Sequence, residues 1–130
     1  MKTFINARLI RRDGVLQHGY LQEENGRIVS LGDMLHCPPL SGETVDCRGL
    51  YLSPGFIDLH THGAGGFDFM DGRTEDILGA ARAHMAHGTT ALMPTTLTSS
   101  DEDLFGTIDA YRQAAQVKTN MPRLLGLHLE

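Results

Sequence analysis

The chain has 130 residues, 41% of them hydrophobic, and a formal net charge of −5. A chain of this kind can bury a core as a folded domain, which excludes a disordered segment. Its acidic balance, without a cluster of lysines and arginines, argues against nucleic-acid and membrane partners. No apolar run is long enough to span a membrane and no signal-peptide pattern opens the chain. We therefore expect a cytoplasmic protein in which Cys37 and Cys47 stay reduced.

Short β-strands are predicted in the N-terminal part of the chain. Asn25 and Gly26 separate two strand-like runs, and this dipeptide favours a type I′ hairpin turn because both central residues need a positive φ. We therefore interpret residues 1–52 as part of a small β-domain. The strands predicted in it span residues 4–10, 20–24, 27–31 and 44–47.

Strands and helices alternate in the remaining residues, 53–130. Thr74 is a candidate N-cap for the first helix, and Gly88 suits the position after its C-terminus. Ser99 is a candidate N-cap for the second helix, with Glu102 completing a capping box. This β-α-β-α-β order predicts an α/β fold with a parallel sheet. The predicted strands span residues 56–62, 89–93 and 123–130, and the first helix spans residues 74–87.

Two histidines lie at the end of the first of these strands. His60 and His62 are two residues apart, so their side chains project from the same face. A glycine-rich loop follows, and parallel α/β barrels place their active sites at such strand ends. Two imidazoles there can bind one divalent metal ion, whereas a lone His-x-His pair also occurs in cores and loops. Alternation puts Phe56 and Asp58 on the histidine face, and Ile57, Leu59 and Thr61 on the other. Ile57 and Leu59 are expected to pack against the helices there.

A carboxylate ends the third predicted strand. Alternation places Glu130 on one face together with His128. If Glu130 meets the two histidines, the set suits zinc, iron or a similar divalent ion. The alternative is a solvated carboxylate near the end of the chain. The opposite face of this strand is expected to pack against the helices through Leu125, Leu127 and Leu129.

Hydroxyl side chains follow the second predicted strand of this region. They could border a polar substrate, and roles in turns and helix caps fit them equally well. These residues are Thr95, Thr96, Thr98 and Ser99.

Four segments resemble a known enzyme superfamily. Residues 53–62, SPGFIDLHTH, resemble the first-strand signature of the amidohydrolase superfamily. Three others narrow the resemblance to its N-acetylglucosamine-6-phosphate deacetylase family: HGAGGFD at 62–68, HGTTALMPTTLTS at 87–99 and LGLHLE at 125–130. The resemblance implies that residues 53–130 form the first three strands of a metal-dependent (β/α)8 TIM-type barrel, preceded at 1–52 by part of a small β-sandwich domain. A complete barrel takes roughly 250 residues, so we expect the N-terminal part of a longer enzyme.

The same resemblance implies roles for individual residues. Glu130 matches the family's principal metal ligand, and His60 and His62 match a pair that binds a second metal in some members. Asp58 would support these ligands without binding the metal itself, or would stabilise the local structure. The implied cofactor is one or two divalent ions, zinc first, with iron or another divalent ion as alternatives. The family's general base and two further ligands lie on later strands, so no catalytic residue is expected within this chain.

The activity implied by the resemblance is hydrolysis of an N-acetyl amide. The complete enzyme would convert N-acetylglucosamine 6-phosphate, a small sugar phosphate, to glucosamine 6-phosphate and acetate, and would form a homodimer. The 130-residue chain alone is expected to be inactive. The alternatives are another amidohydrolase, such as a cyclic-amide hydrolase, and a non-catalytic fragment with a binding or structural role.

Overall fold

The computed structural model describes residues 1–118 and 120–130, which form two compact units, Met1–Pro54 and Gly55–Glu130. Within the described residues, neither helix is long and apolar enough to cross a membrane.

The first unit is a five-stranded sheet. Hairpins join the first three strands in antiparallel order, and the last two strands pair with the first strand in parallel. The strands are β1 (Lys2–Arg11), β2 (Gly14–Glu24), β3 (Arg27–Asp33), β4 (Glu43–Asp46) and β5 (Tyr51–Leu52).

The turn between β2 and β3 confirms the hairpin prediction. Asn25 has φ 53° and Gly26 has φ 77°. Both central residues are thus left-handed, as a type I′ turn requires, and this turn type matches the twist of the flanking strands.

A residue at an irregularity in β1 forms a side-chain hydrogen bond to β4. The register of β1 against β2 shifts between Phe4 and Ala7, and Asn6 within the shift has φ 54°. Its side-chain Nδ2 donates to Asp46 Oδ1 at 3.0 Å. An asparagine tolerates this backbone better than most residues because its short polar side chain can bond locally.

The second unit combines a parallel sheet, a small hairpin and two helices. The three-stranded sheet has the order β10-β9-β6, and each crossover between its strands contains one helix. The elements are β6 (Phe56–Thr61), β7 (Gly63–Ala64), β8 (Phe67–Asp68), α1 (Thr74–Ala86), β9 (Thr89–Pro94), α2 (Asp101–Ala114) and β10 (Arg123–Leu124).

Both helices cover one face of this sheet. Leu92 of the central strand is fully buried there, and Leu124 packs against the same cluster. The helices contribute mostly small residues, which let them approach the sheet closely. The buried cluster consists of Phe69, Ile77, Ala80, Ala81, Leu92, Ala110 and Ala114.

The helix starts differ from the sequence prediction by one residue each. Thr74 is the first helical residue rather than the cap; the cap position is Arg73, which makes no capping bond and instead pairs with Asp76 through two 2.7 Å contacts. The cap of α2 is Ser100, not Ser99, and its hydroxyl accepts from the Asp103 N–H at 3.2 Å. Two adjacent serines give the sequence no means of choosing between registers.

The predicted packing of the apolar strand residues is wrong. Ile57 is 65% exposed and Leu59 is 56% exposed, so they do not pack against the helices. Two residues of β6 oppose one residue of β9 between the pairs Asp58–Leu92 and Thr61–Pro94. Such a bulge breaks the regular alternation of side chains.

The third predicted strand is shorter than expected. The paired part, β10, covers only Arg123–Leu124, and a single parallel bridge between Thr95 and His128 continues it. Leu125 and Leu129 are 40% and 57% exposed, so the expected leucine face is not covered by the helices.

Candidate metal centre

The structure brings His60, His62 and Glu130 together. His60 lies in β6, His62 directly follows it, and Glu130 follows β10 beyond the bridge at His128. One ligand atom from each side chain lies within 4.8 Å of the others. Glu130 Oε2 is 3.3 Å from His60 Nε2 and 3.4 Å from His62 Nε2. A single carboxylate oxygen therefore faces both imidazoles.

These distances suit a shared divalent ion. Nitrogen and oxygen ligands about 2.1 Å from a tetrahedral zinc lie about 3.4 Å apart. The two measured separations, 3.3 and 3.4 Å, are close to that spacing. The donor set of two imidazoles and a carboxylate also matches the ligands that zinc and iron take in proteins. The three residues present thus fit a metal.

The cluster is open on one side. The side chains of His60 and Glu130 are each 49% exposed, and that of His62 is 37% exposed. His128 adds a further ring against the cluster, with its centroid 4.9 Å from that of His60. Three ligands from the chain and one accessible side leave room for water, for a substrate group or for ligands from elsewhere, as catalytic sites require.

Asp58 lies on the other face of the sheet from the one predicted. It is in register with the buried Leu92, and residues in register on parallel strands project to the same face. Its Oδ2 is 3.9 Å from Nδ1 of His84 in α1. Its Oδ1 accepts the backbone N–H of His60 at 3.1 Å. Asp58 therefore reaches His60 through the backbone, from the helix-covered face.

The contact of His84 with this strand was not predicted from the sequence. His84 Nε2 lies 3.2 Å from Thr61 Oγ1, the residue between the two histidines of the cluster. A lone histidine near a helix C-terminus has a general electrostatic explanation. Its partners lie 23 and 26 positions away in the chain, so no local pattern could have indicated them.

The parallel sheet with crossover helices and the His-His-Glu cluster at its strand ends agree with the resemblance to amidohydrolases. No protein-family model matches the chain. The N-acetylglucosamine-6-phosphate deacetylase of Caenorhabditis elegans is 33% identical to it, over 98% of this chain and 32% of the relative. The chain is thus similar to the N-acetylglucosamine-6-phosphate deacetylases over almost its whole length, as its motifs predicted.

Solved structures of N-acetylglucosamine-6-phosphate deacetylases are similar to the chain as well. The deacetylase of Pasteurella multocida superposes with a TM-score of 0.84 at 28% identity, over 98% of this chain and 33% of that one. A mutant deacetylase of Mycobacterium smegmatis, solved in complex with N-acetyl-D-glucosamine-6-phosphate, has a TM-score of 0.76 at 25% identity, over 98% of this chain and 32% of that one. The chain thus spans about a third of the length of the relatives that it matches.

Proposed function

We propose that this chain supplies metal ligands to an enzyme that removes the acetyl group from N-acetylglucosamine 6-phosphate. The observation that carries the proposal is the shared position of Glu130 Oε2, within 3.4 Å of both histidine Nε2 atoms. The cluster itself does not distinguish this substrate from N-acetylgalactosamine 6-phosphate. An enzyme for the second sugar would need only a different sugar pocket beside the same metal ligands.

The proposed architecture follows the relatives. Residues 53–130 would be the first βαβαβ portion of a (β/α)8 barrel, and residues 1–52 would be part of a small β-sandwich domain. The order β10-β9-β6 supports this, because each new parallel strand is added on the same side of the sheet, as in a barrel.

The proposed ligands are Glu130, His60 and His62, with zinc as the first candidate ion and iron or another divalent ion as alternatives. The shared Oε2 permits one ion between the three side chains or, with further ligands, two ions per subunit. Asp58 would support the site by holding the backbone N–H of His60 at 3.1 Å. Outer contacts of this kind commonly affect metal affinity.

When bound, the ion would supply Lewis acidity for the amide carbonyl and for the attacking water. The residues of this chain would hold that ion at the end of β6 and present it on the open side of the cluster. We assign the general base, which takes a proton from water and returns it to the leaving amine, to a segment after residue 130. We propose that the complete enzyme is a homodimer.

Metal binding by the 130-residue chain is the first test. Titration with Co²⁺ should give a visible d–d absorption band that is lost in a variant carrying both His60→Gln and His62→Gln. A matched variant, His18→Gln with His36→Gln, removes two histidines from the first unit and should keep the band. Equal spectra for the two double variants would contradict the proposed site.

Substrate class needs a second test in a longer protein that contains this chain. Acetate release should be measured with N-acetylglucosamine 6-phosphate and with its unphosphorylated form, and ring opening should be measured with a cyclic amide such as dihydroorotate. We expect hydrolysis of the phosphorylated sugar and none by the 130-residue chain alone. Hydrolysis of the cyclic amide only would favour the alternative amidohydrolase, and acetate release by the isolated chain would contradict the placement of the base.

A further inference from the structure

Two threonines lie between the segments that carry the candidate ligands. Thr95 and Thr96 directly follow β9, the central strand, and are 0% and 1% exposed. On one side of them is the end of β6 with His62, and on the other is the segment that ends at Glu130. Buried hydroxyl groups in such a place need hydrogen-bond partners.

Thr95 bonds to the backbone between the two histidines. Its N–H donates to Thr61 O at 2.9 Å, and its Oγ1 accepts the N–H of Thr61 at 3.1 Å. The same hydroxyl donates to Met93 O at 3.3 Å, which fixes its orientation. Thr61 is therefore held on both its polar backbone groups by one residue of the neighbouring strand.

Thr95 also offers an acceptor to one ring nitrogen of His62. His62 Nδ1 lies 3.3 Å from the carbonyl oxygen of Thr95. A carbonyl oxygen can only accept, so Nδ1 must be the donor. In the neutral ring Nε2 is then unprotonated, and this is the nitrogen that faces Glu130.

Thr96 holds the other ligand segment. Its N–H donates to His128 O at 2.9 Å, and its Oγ1 accepts the backbone N–H of Glu130 at 3.1 Å. The two bonds continue the pairing of the strands beyond the short β10. They hold the backbone of Glu130 beside Thr96, just beyond the end of β9.

We infer that Thr95 and Thr96 form a threonine clamp that positions His62 and Glu130 for a common ion. They act as positioning residues, since neither hydroxyl is among the clustered ligand atoms. The inference rests on the proposed metal site. It adds the two residues that fix the positions of the ligands before a metal binds. Partners that orient ligands typically affect metal affinity by about 10–100-fold when removed.

Removal of each hydroxyl tests the clamp. Thr96→Val leaves the Glu130 N–H without its acceptor, and Thr95→Val does the same to Thr61. We expect each variant of the 130-residue chain to bind Co²⁺ about 10–100-fold more weakly, with a changed d–d spectrum. Thr95→Ser and Thr96→Ser keep the hydroxyl and should retain the parent affinity and spectrum.

Thr107 offers a matched control in the same unit. It is a fully buried threonine of α2, and its Oγ1 has no hydrogen-bond partner among the described residues. Thr107→Val should leave Co²⁺ affinity unchanged. Parent-like affinity in both Thr95→Val and Thr96→Val would overturn the clamp, as would an equal loss in Thr107→Val, which would assign the effect to general destabilisation.

The tautomer of His62 gives a readout that needs no metal. In ¹⁵N-resolved NMR of the metal-free chain at neutral pH, we expect the proton on Nδ1. A ring with its proton on Nε2 and none on Nδ1 would overturn the role of Thr95. A chain that binds no Co²⁺ yet shows the Nδ1 proton would contradict the proposed metal site while supporting the clamp, so the two failures are distinguishable.

Discussion

The strand pairings inside the two units differ in how far apart the paired strands lie in the sequence. In the first unit, β1, β2 and β3 pair with their neighbours in sequence through tight turns. In the second unit, adjacent strands are about thirty residues apart in the chain and each pairing requires a helix in between, as parallel connections do. The candidate site lies in the second unit, where His60 and Glu130 come together. The comparison teaches that local turn chemistry builds the antiparallel β1-β2-β3 part of the first sheet, whereas the packing of distant segments builds the site.

The largest expected effect is on the packing of the second unit. Leu92 is fully buried beneath α1 and α2, so Leu92→Ala should lower the free energy of unfolding by about 2–5 kcal/mol. Leu35 in the first unit is 88% exposed, and Leu35→Ala should change it by less than about 0.5 kcal/mol. Urea unfolding followed by circular dichroism measures both. A similar loss in the two variants would remove the distinction between a packed and a solvated leucine.

The next effect concerns the site itself. Glu130 Oε2 faces both histidines, so Glu130→Gln should weaken Co²⁺ binding by about 100-fold or more, and His60→Gln by less. Acetate release by a longer active protein should follow the same ranking. Glu43→Gln is the control from the first unit, because Glu43 only pairs with Lys2 at the surface, at 3.0 Å. A larger loss in His60→Gln than in Glu130→Gln would reassign the principal ligand.

A pair of glycines sharpens the contrast between turn and helix. Gly26 of the hairpin has φ 77°, and an added Cβ would meet nothing within 4 Å, so Gly26→Ala reports backbone strain alone. It should destabilise the chain by about 1–2 kcal/mol. Gly106 in α2 has equally open surroundings and no positive φ, so Gly106→Ala should stabilise by about 0.5–1 kcal/mol. Thermal unfolding of the two variants should therefore shift in opposite directions, and a shared direction would contradict the assigned turn.

The smallest effect lies at the surface of the first unit. The side-chain bond from Asn6, followed by the backbone N–H of Arg48, lowers the pKa of the Asp46 carboxyl below its ordinary value. Asn6→Gly tolerates the positive φ and removes the first bond, so NMR titration should show a higher pKa for Asp46. The lowered folded-state pKa means that the associated stability is present above the unfolded value and is lost as pH falls through the folded one. An unchanged titration would assign the shift to the backbone alone.

Local features could be read from the sequence because their causes are local. The Asn25–Gly26 turn needs two positive φ angles, which few other dipeptides supply, and the structure has both. The spacing of His60 and His62 likewise predicted a common face, and both rings meet Glu130. The family resemblance was carried by short contiguous motifs and is confirmed along almost the whole chain.

Other features could not be predicted because residues far apart decide them. Strict alternation placed Asp58 beside the histidines, but the bulge in β6 turns it toward His84 of α1. Alternation also assigned the exposed Ile57 and Leu59 to the helix side. A bulge depends on the match between two strands, so one strand's sequence does not reveal it.

The sequence by itself determined the order of strands and helices, the family resemblance and the three candidate ligands, because periodicity, turn residues and motifs are properties of contiguous segments. Only the tertiary structure decided that Glu130 shares one oxygen between His60 and His62, and that Thr95 and Thr96 lie between the two ligand segments. From the sequence alone, either a substrate contact or a role in a turn fitted these threonines. Their hydrogen bonds depend on how three strands align in space, and that alignment results from the packing of the whole unit.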